Sequence, residues 1–377
     1  MVRADRVVAA DRAGICPGGP VATVKRAHLL IVSPCQGAYG GIEAFVLAVA
    51  EAVRREPDFE VRVCFKKTRD FVLKTTLEEM LRDEPAVFCD RAGADLAREI
   101  RWADVIHLQN ASPDVVLLAK LFRKPLALTI HNYMPAEATL HRRLWHWCAR
   151  LADARWFNSQ FVWDTWEPER KREGSRKVPT TSKLPEGWTP FAERKGFAFI
   201  GRWIANKGID TLIDAYARAQ LDREKWPLVL MGDGPLRETI VSEIERDKLI
   251  GIRGTGFIDA ATKTRNIQNA RWMVVPPNTR EDFGLTAIEA RHLGVPCIIT
   301  RDGGLPEAGG PQALICEPAD PAALARLLEQ AAAMSEAEYA ERATKTREEL
   351  MRELEPLDFY ARAFRKLLRR NPMERSS

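Results

Sequence analysis

Two glutamates, Glu281 and Glu289, flank the turn EDFGLTAIEA inside a stretch that runs from Asn269 to Glu307. Glu281 falls in a polar loop with Asp282 and Gly284. Glu289 falls two turns into the helix that LTAIEARHL predicts. Paired carboxylates at a strand-to-helix turn are candidates for general acid–base work. A helix start after a glycine is also an anion site, because its free N–H groups and dipole face outward. Arg202 and Lys207, in GRWIANKG, put two cations at another strand end, where they suit a diphosphate or simply a solvated surface. Gly37, Gly40 and Gly41 lie between a strand and a helix. Glycine there lets backbone approach an anion, and it equally serves any tight turn. His131 closes the strand TIHN and His107 closes another. A lone strand-end histidine is more often a satisfied core residue, and His107 is read that way. Gly232, in GDGP, belongs to a turn first and to a ligand contact second. No Asp-x-Asp occurs, so protein cations and helix N-termini would have to meet a diphosphate without that metal signature.

The elements that must position these residues alternate. HLLIVSP (28–34) predicts a buried strand, and the glycine turn feeds an amphipathic helix with Ile42, Phe45, Val46, Val49 and Val53 on one stripe. VRVCF, DVIHLQN and PLALTIHN predict further strands. RLWHWCARLADA (143–154) predicts a helix that continues into RWFNSQFVWDTW. Residues 167–190 are charged and proline-rich, which predicts surface loop and linker. The alternation restarts with GFAFIGR, PLVLMGDGP, RGTGFI, WMVVP and VPCIIT, each followed by a helix or turn. DFYARAFRKLLRR predicts a basic amphipathic helix at the end. This pattern predicts two doubly wound α/β domains with a cleft between them and ligands at the carboxyl ends of the strands.

The chain has 377 residues, 46% hydrophobic and 29% charged, which is the composition of a globular protein of about two domains. No apolar run reaches bilayer-spanning length. The first residues lack the apolar core of a signal peptide and read as a loose extension. Seven scattered cysteines, with no Cys-x-x-Cys, argue for a reducing cytosol and against a disulfide framework or a zinc site. The net charge of +5 is uneven, with basic excess before residue 190 and after 355. Solubility accounts for it, and so would contact with anionic lipid or a phosphate-bearing substrate. Nucleic acid is not expected, since no zinc-finger, RNP or helix-turn-helix pattern accompanies the charge.

Taken together, GAYGGIE, TIHN, GRWIANKG, MGDGP, EDFGLTAIEA and DGGLPE resemble the retaining GT-B-fold glycosyltransferases of family four, with Glu281 and Glu289 matching the Glu-x7-Glu signature. The resemblance implies two Rossmann-like domains facing each other, an acceptor-side domain over 22–188 and a donor-binding domain over 191–355. It implies that 356–377 carries a helix crossing back to the first domain. It implies a nucleotide-sugar donor as substrate, no cofactor and no metal. Carried over position by position, Glu281 would hold donor-sugar hydroxyls and Glu289 the ribose hydroxyls. Arg202 and Lys207 would neutralise the diphosphate. Gly284, Leu285 and Thr286 would offer N–H groups, and Ile258 would sit against the base. Gly40 and Gly41 would approach the phosphate, His131 would meet the sugar near its reacting carbon, and Gly232 would line the donor loop.

The chain departs from the family pattern at Gln109, where many relatives carry a second histidine, and at LPEGW (184–188), which replaces a Pro-Asn-Gly turn. Five tryptophans (Trp145, Trp147, Trp156, Trp163, Trp166) fall close together beside Arg142, Arg143 and Arg150. Most are expected in the core; the other reading is an interfacial patch for a lipid-linked acceptor on an anionic membrane. The expectation is therefore a cytoplasmic protein, at the inner membrane face if that patch is interfacial. The acceptor expected is a glycan or lipid-linked oligosaccharide of bacterial surface polysaccharide. A GT-B-fold sugar-nucleotide epimerase and a non-catalytic GT-B-like subunit are the competing readings.

Overall fold

The computed structural model describes residues 26–370, apart from 83, 85, 91–92, 138, 180–183 and 280. Cys16 and the expected N-terminal extension lie outside the described residues. The first half reads β1 (Ala27–Cys35), α1 (Gly41–Arg54), β2 (Phe59–Lys67), α2 (Thr75–Met80), β3 (Ala86–Cys89), α3 (Ala94–Trp102), β4 (Val105–Gln109), α4 (Pro113–Leu121), β5 (Leu126–Ile130), α5 (Leu140–Leu151), β6 (Ala154–Phe157), α6 (Gln160–Trp166) and β7 (Ser175–Lys177). Its strands form one parallel sheet in the order β3-β2-β1-β4-β5-β6-β7. The second half reads β8 (Phe197–Ile200), α7 (Ile209–Arg218), β9 (Leu228–Met231), α8 (Arg237–Arg246), β10 (Ile252–Gly256), α9 (Ala260–Asn269), β11 (Trp272–Val275), α10 (Leu285–His292), β12 (Cys297–Thr300), α11 (Leu305–Gly309), β13 (Leu314–Cys316), α12 (Pro321–Ala333), α13 (Glu336–Glu353) and α14 (Asp358–Arg370). Its sheet is also parallel, in the order β10-β9-β8-β11-β12-β13.

Strands covered on both faces need apolar residues on both, and β1 buries Leu29, Leu30, Ile31 and Val32 in succession. In each sheet the order reverses beside the first strand. That reversal opens a crevice at the carboxyl ends, where the glycine turns lie. Ion pairing and packing place α14 on the first sheet, although it follows α13 of the second half. Phe364 meets Trp156 and Phe59, and Tyr360 stacks edge-on against Phe45 at 5.6 Å. Arg365 holds Asp58 at 2.6 and 2.7 Å, which lowers that carboxyl below its ordinary range.

Two expectations need correction. The helix over 143–154 begins at Leu140 and stops at Leu151, and the run after it does not continue as helix. Ala154–Phe157 is a strand paired with β5. The cause is Arg155, whose buried guanidinium donates to the Ala149 and Ala152 carbonyls at the end of α5, to Ser175 Oγ and to Glu173 O. The expected linker over 167–190 likewise contains β7, a charged edge strand on β6.

Because Phe364 is fully buried, Phe364→Ala is expected to destabilise the protein by about 3 kcal/mol. A urea midpoint unmoved by that substitution would show that α14 is not part of the first core.

Candidate functional site

The N-termini of α1 and α10, one from each sheet, meet across the crevice. A Cβ added to Gly41 would stand 2.7 Å from Leu285 Cδ1. Gly40 precedes α1, and its N–H donates to Glu43 Oε2 at 3.1 Å. Gly284 precedes α10 with φ +101°, a left-handed conformation that side chains other than glycine resist, and a Cβ there would strike Leu305. No side chain caps α10, so its first N–H groups are left for a ligand, whereas the start of α1 already carries the Glu43 carboxylate on the Gly40 N–H. Leu285 and Thr286 form the first turn of α10, both half-buried.

Glu281 sits just ahead of this turn. Its carboxylate accepts from Lys207 Nζ at 2.5 Å. Its backbone is held on both sides by the DGGLPE loop, N–H to Asp302 Oδ2 at 2.5 Å and carbonyl from Gly304 N–H at 2.8 Å. Glu289 is buried in α10 and accepts from Lys263 Nζ, on α9, at 2.7 Å. Tyr39, from the first half, has its phenol pushed up by burial and then by the carboxylates of Glu289 and Glu43. Arg202 is exposed in the turn after β8 and makes no side-chain hydrogen bond or ion pair among the described residues. Gly232 follows β9 with φ +112°. A Cβ there would lie 2.0 Å from Gly201 O, so the two loops touch only because the residue is glycine. Ile258 follows β10 and packs, partly buried, against the apolar cluster beneath α10.

His131 lies at the end of β5, nearly buried, its ring edge-on to Phe45 at 5.3 Å. Nε2 lies 2.9 Å from Gln109 Oε1, an oxygen that only accepts. Burial pushes the imidazole pKa down to about 3, so it is neutral through the physiological range. His107, also buried and pushed down to about 3, faces Thr129 Oγ1 at 2.7 Å, as its core reading expects.

The two halves are stitched at this spot. Asp282 Oδ1 accepts from Tyr133 N–H at 2.7 Å and Oδ2 from the Asn132 amide at 3.1 Å, while Ser159 Oγ donates to the Asp282 carbonyl. Burial raises the Asp282 carboxyl to about 6. Glu307 accepts from Gln160 N–H at 2.6 Å and from Lys177 Nζ at 2.7 Å. So the loops bearing His131 and Glu281 are tied, through neighbouring residues rather than through His131 and Glu281 themselves. Among the described residues no three His, Cys, Asp or Glu side chains gather to hold a metal ion.

Residues 182–349 match the family model described as glycosyl transferases group 1. A D-rhamnosyltransferase of Pseudomonas aeruginosa, WbpZ, is 26% identical over 243 residues, 59% of this chain and 62% of the relative. The first curated relatives matched share only 29% and 35% of their own length with it. The solved structure of Anabaena HepE with UDP and glucose superposes with a TM-score of 0.68 at 17% identity, over 90% of this chain and 98% of that one. A glycosyltransferase from Rickettsia africae superposes with a TM-score of 0.73 at 14% identity, over 93% and 100%. The fold is GT-B. Within the GT-B crevice, Glu281 with Lys207, and Gly41 with Leu285, are in direct contact. Glu289 is paired instead with Lys263, which no sequence pattern singled out. Asp282, Asn132 and Ser159 were also passed over, although the acidic pair Glu281-Asp282 beside a glycine turn could have marked Asp282.

The neutral histidines give a pH dependence. Between about pH 3 and 6.5 the unfolded chain binds protons that buried His107 and His131 do not, so their contribution to stability is lost as pH falls through that window. His107→Gln, which keeps a polar atom toward Thr129, should therefore shrink the loss in urea stability between about pH 7 and about pH 5. An unchanged loss would show that His107 is charged in the fold.

Proposed function

We propose that this chain is a retaining glycosyltransferase moving a hexose from a UDP- or GDP-sugar to a hydroxyl of a glycan or lipid-linked acceptor, in bacterial surface polysaccharide synthesis. The observation that carries the reading is the meeting of two helix N-termini, at Gly41 and Leu285, with Lys207 held by Glu281 just ahead of the second. The free start of α10 and Lys207, with Arg202 on the same loop as Lys207, then offer the positive potential that a diphosphate requires. The family match over 182–349 and the UDP and glucose bound by HepE support a nucleotide-sugar donor.

Breaking the anomeric bond leaves a nucleoside diphosphate with growing negative charge. Lys207, Arg202 and the start of α10 stabilise that charge more in the transition state than in the ground state. Glu281 keeps Lys207 in place before the donor arrives and then offers its oxygens to the sugar hydroxyls. Glu289 holds Lys263 through Oε1 and has Oε2 left for ribose hydroxyls. His131 presents a neutral imidazole to the sugar. The acceptor attacks from the face the leaving group departs, and the departing phosphate takes the hydroxyl proton, so no residue of the chain forms a covalent bond to the sugar. Protein cations fill the place of a metal.

Glu281→Ala and Lys207→Ala are each expected to lower kcat/KM at least about tenfold, roughly 1.4 kcal/mol. Wild-type turnover in either would remove that residue's role. The linkage formed from an α-configured donor is expected to be α by NMR of the product, with turnover unaffected by EDTA. A β product would replace retention by inversion, and NDP-sugar altered without any acceptor would point to the epimerase instead.

A further inference from the structure

Helix α5 buries Cys148 and Ala149 against the core. Along the adjoining line Leu140 is 71% exposed, Leu144 38% and Trp147 37%, at i, i+4 and i+7, so they form one stripe along the helix. Arg143 and Arg150 are exposed beside that stripe, and α5 contains no acidic residue. The neighbouring α4 packs against α5 and adds Leu117, 55% exposed, and Leu121, 71% exposed, one turn apart. A single exposed leucine is ordinary, but five large apolar side chains on two adjacent helices mark an interaction surface. The tryptophan cluster divides accordingly. Trp156 and Trp166 are core, Trp163 stacks on Phe157 at 5.7 Å, Trp145 is half-buried, and Trp147 is the one that reaches solvent.

We propose that the outer face of α4 and α5 docks on an anionic bilayer, with Leu140, Leu144 and Trp147 entering the headgroup boundary and Arg143 and Arg150 meeting lipid phosphates. The charge selects the occupant. A two-fold dimer through this face would set the same arginines against each other, with no carboxylate on α5 to answer them. A lipid surface supplies the missing negative charge, and an indole suits the depth at which headgroups give way to acyl chains. Along the chain, α5 follows the loop that carries His131, Asn132 and Tyr133. Use of this face for a lipid-linked acceptor rests on the proposed transferase reaction; the docking itself does not.

The test is flotation of the full chain, without donor, on vesicles of phosphatidylcholine containing roughly a third phosphatidylglycerol, against phosphatidylcholine alone. The chain is expected to float with the anionic vesicles only, and less so as salt rises. The double variant Leu144→Glu, Trp147→Glu should lose flotation at least about tenfold, while its melting temperature and its turnover on a short soluble acceptor stay at the wild-type level. No flotation of the wild type, or equal flotation of the variant, would overturn the proposal. A wild-type dimer in sedimentation that the variant dissociates would assign the face to a second copy instead. Since no donor is present, a negative vesicle result leaves the transferase reading intact, and an inactive chain that still floats leaves the docking intact.

Discussion

At the seam between the two halves stands an acidic dipeptide whose side chains face different ways. Glu281 turns into its own half to hold Lys207, while Asp282 reaches across to the Tyr133 N–H and the Asn132 amide. A carboxylate removed from water is costly unless donors surround it, and these two donors come from the opposite half. The backbone between them is wedged further. A Cβ on Gly303 would sit 2.1 Å from the Glu281 carbonyl, and one on Gly304 would sit 2.3 Å from the Asp282 carbonyl. Only glycine lets the DGGLPE loop lie flat against EDFG. The position of Glu281 is therefore set by the seam as much as by the domain that carries it.

Electrostatic balance within the crevice follows the same economy. Lys207 and Lys263 each lie against a glutamate of the EDFGLTAIEA turn, so each of these cations is balanced by a carboxylate before anything binds. Pairing keeps two partly buried ammonium groups oriented, which limits the reorganisation needed when an anion arrives. Arg202 and the free start of α10 supply the positive potential that no carboxylate among the described residues answers. His131 adds none, since burial keeps it neutral. Gln109 lies against its Nε2 at 2.9 Å, so the ring is held by a neutral amide and not by a charged partner.

Much of the parallel-sheet plan was legible because doubly covered strands must be apolar throughout. LLIV in β1, CIIT in β12 and the glycine turns after them announce themselves locally. β6 was not legible, because four residues following a helix without a glycine or proline carry no period of their own. Its identity depends on Arg155 reaching back to close α5 and on β5 lying alongside. β7 was hidden for a related reason, since an edge strand made of Ser, Arg and Lys looks like loop until its partner is known. In the crevice, residue types and local spacing exposed Glu281, Glu289, Lys207 and the helix-start glycines. The pairs that join distant segments, Lys263 with Glu289 and Asp282 with Tyr133, have no local signature, because each exists only once the sheets have formed.

The placement of α14 on the first sheet has a mechanical consequence. The chain passes between the halves twice, once after β7 and once between α13 and α14. The two crossings lie side by side, since Arg176 of β7 pairs with Glu355 just ahead of α14 and covers the Phe359 ring. Both connections therefore leave the first half at one edge of its sheet, so any opening of the crevice has its hinge there.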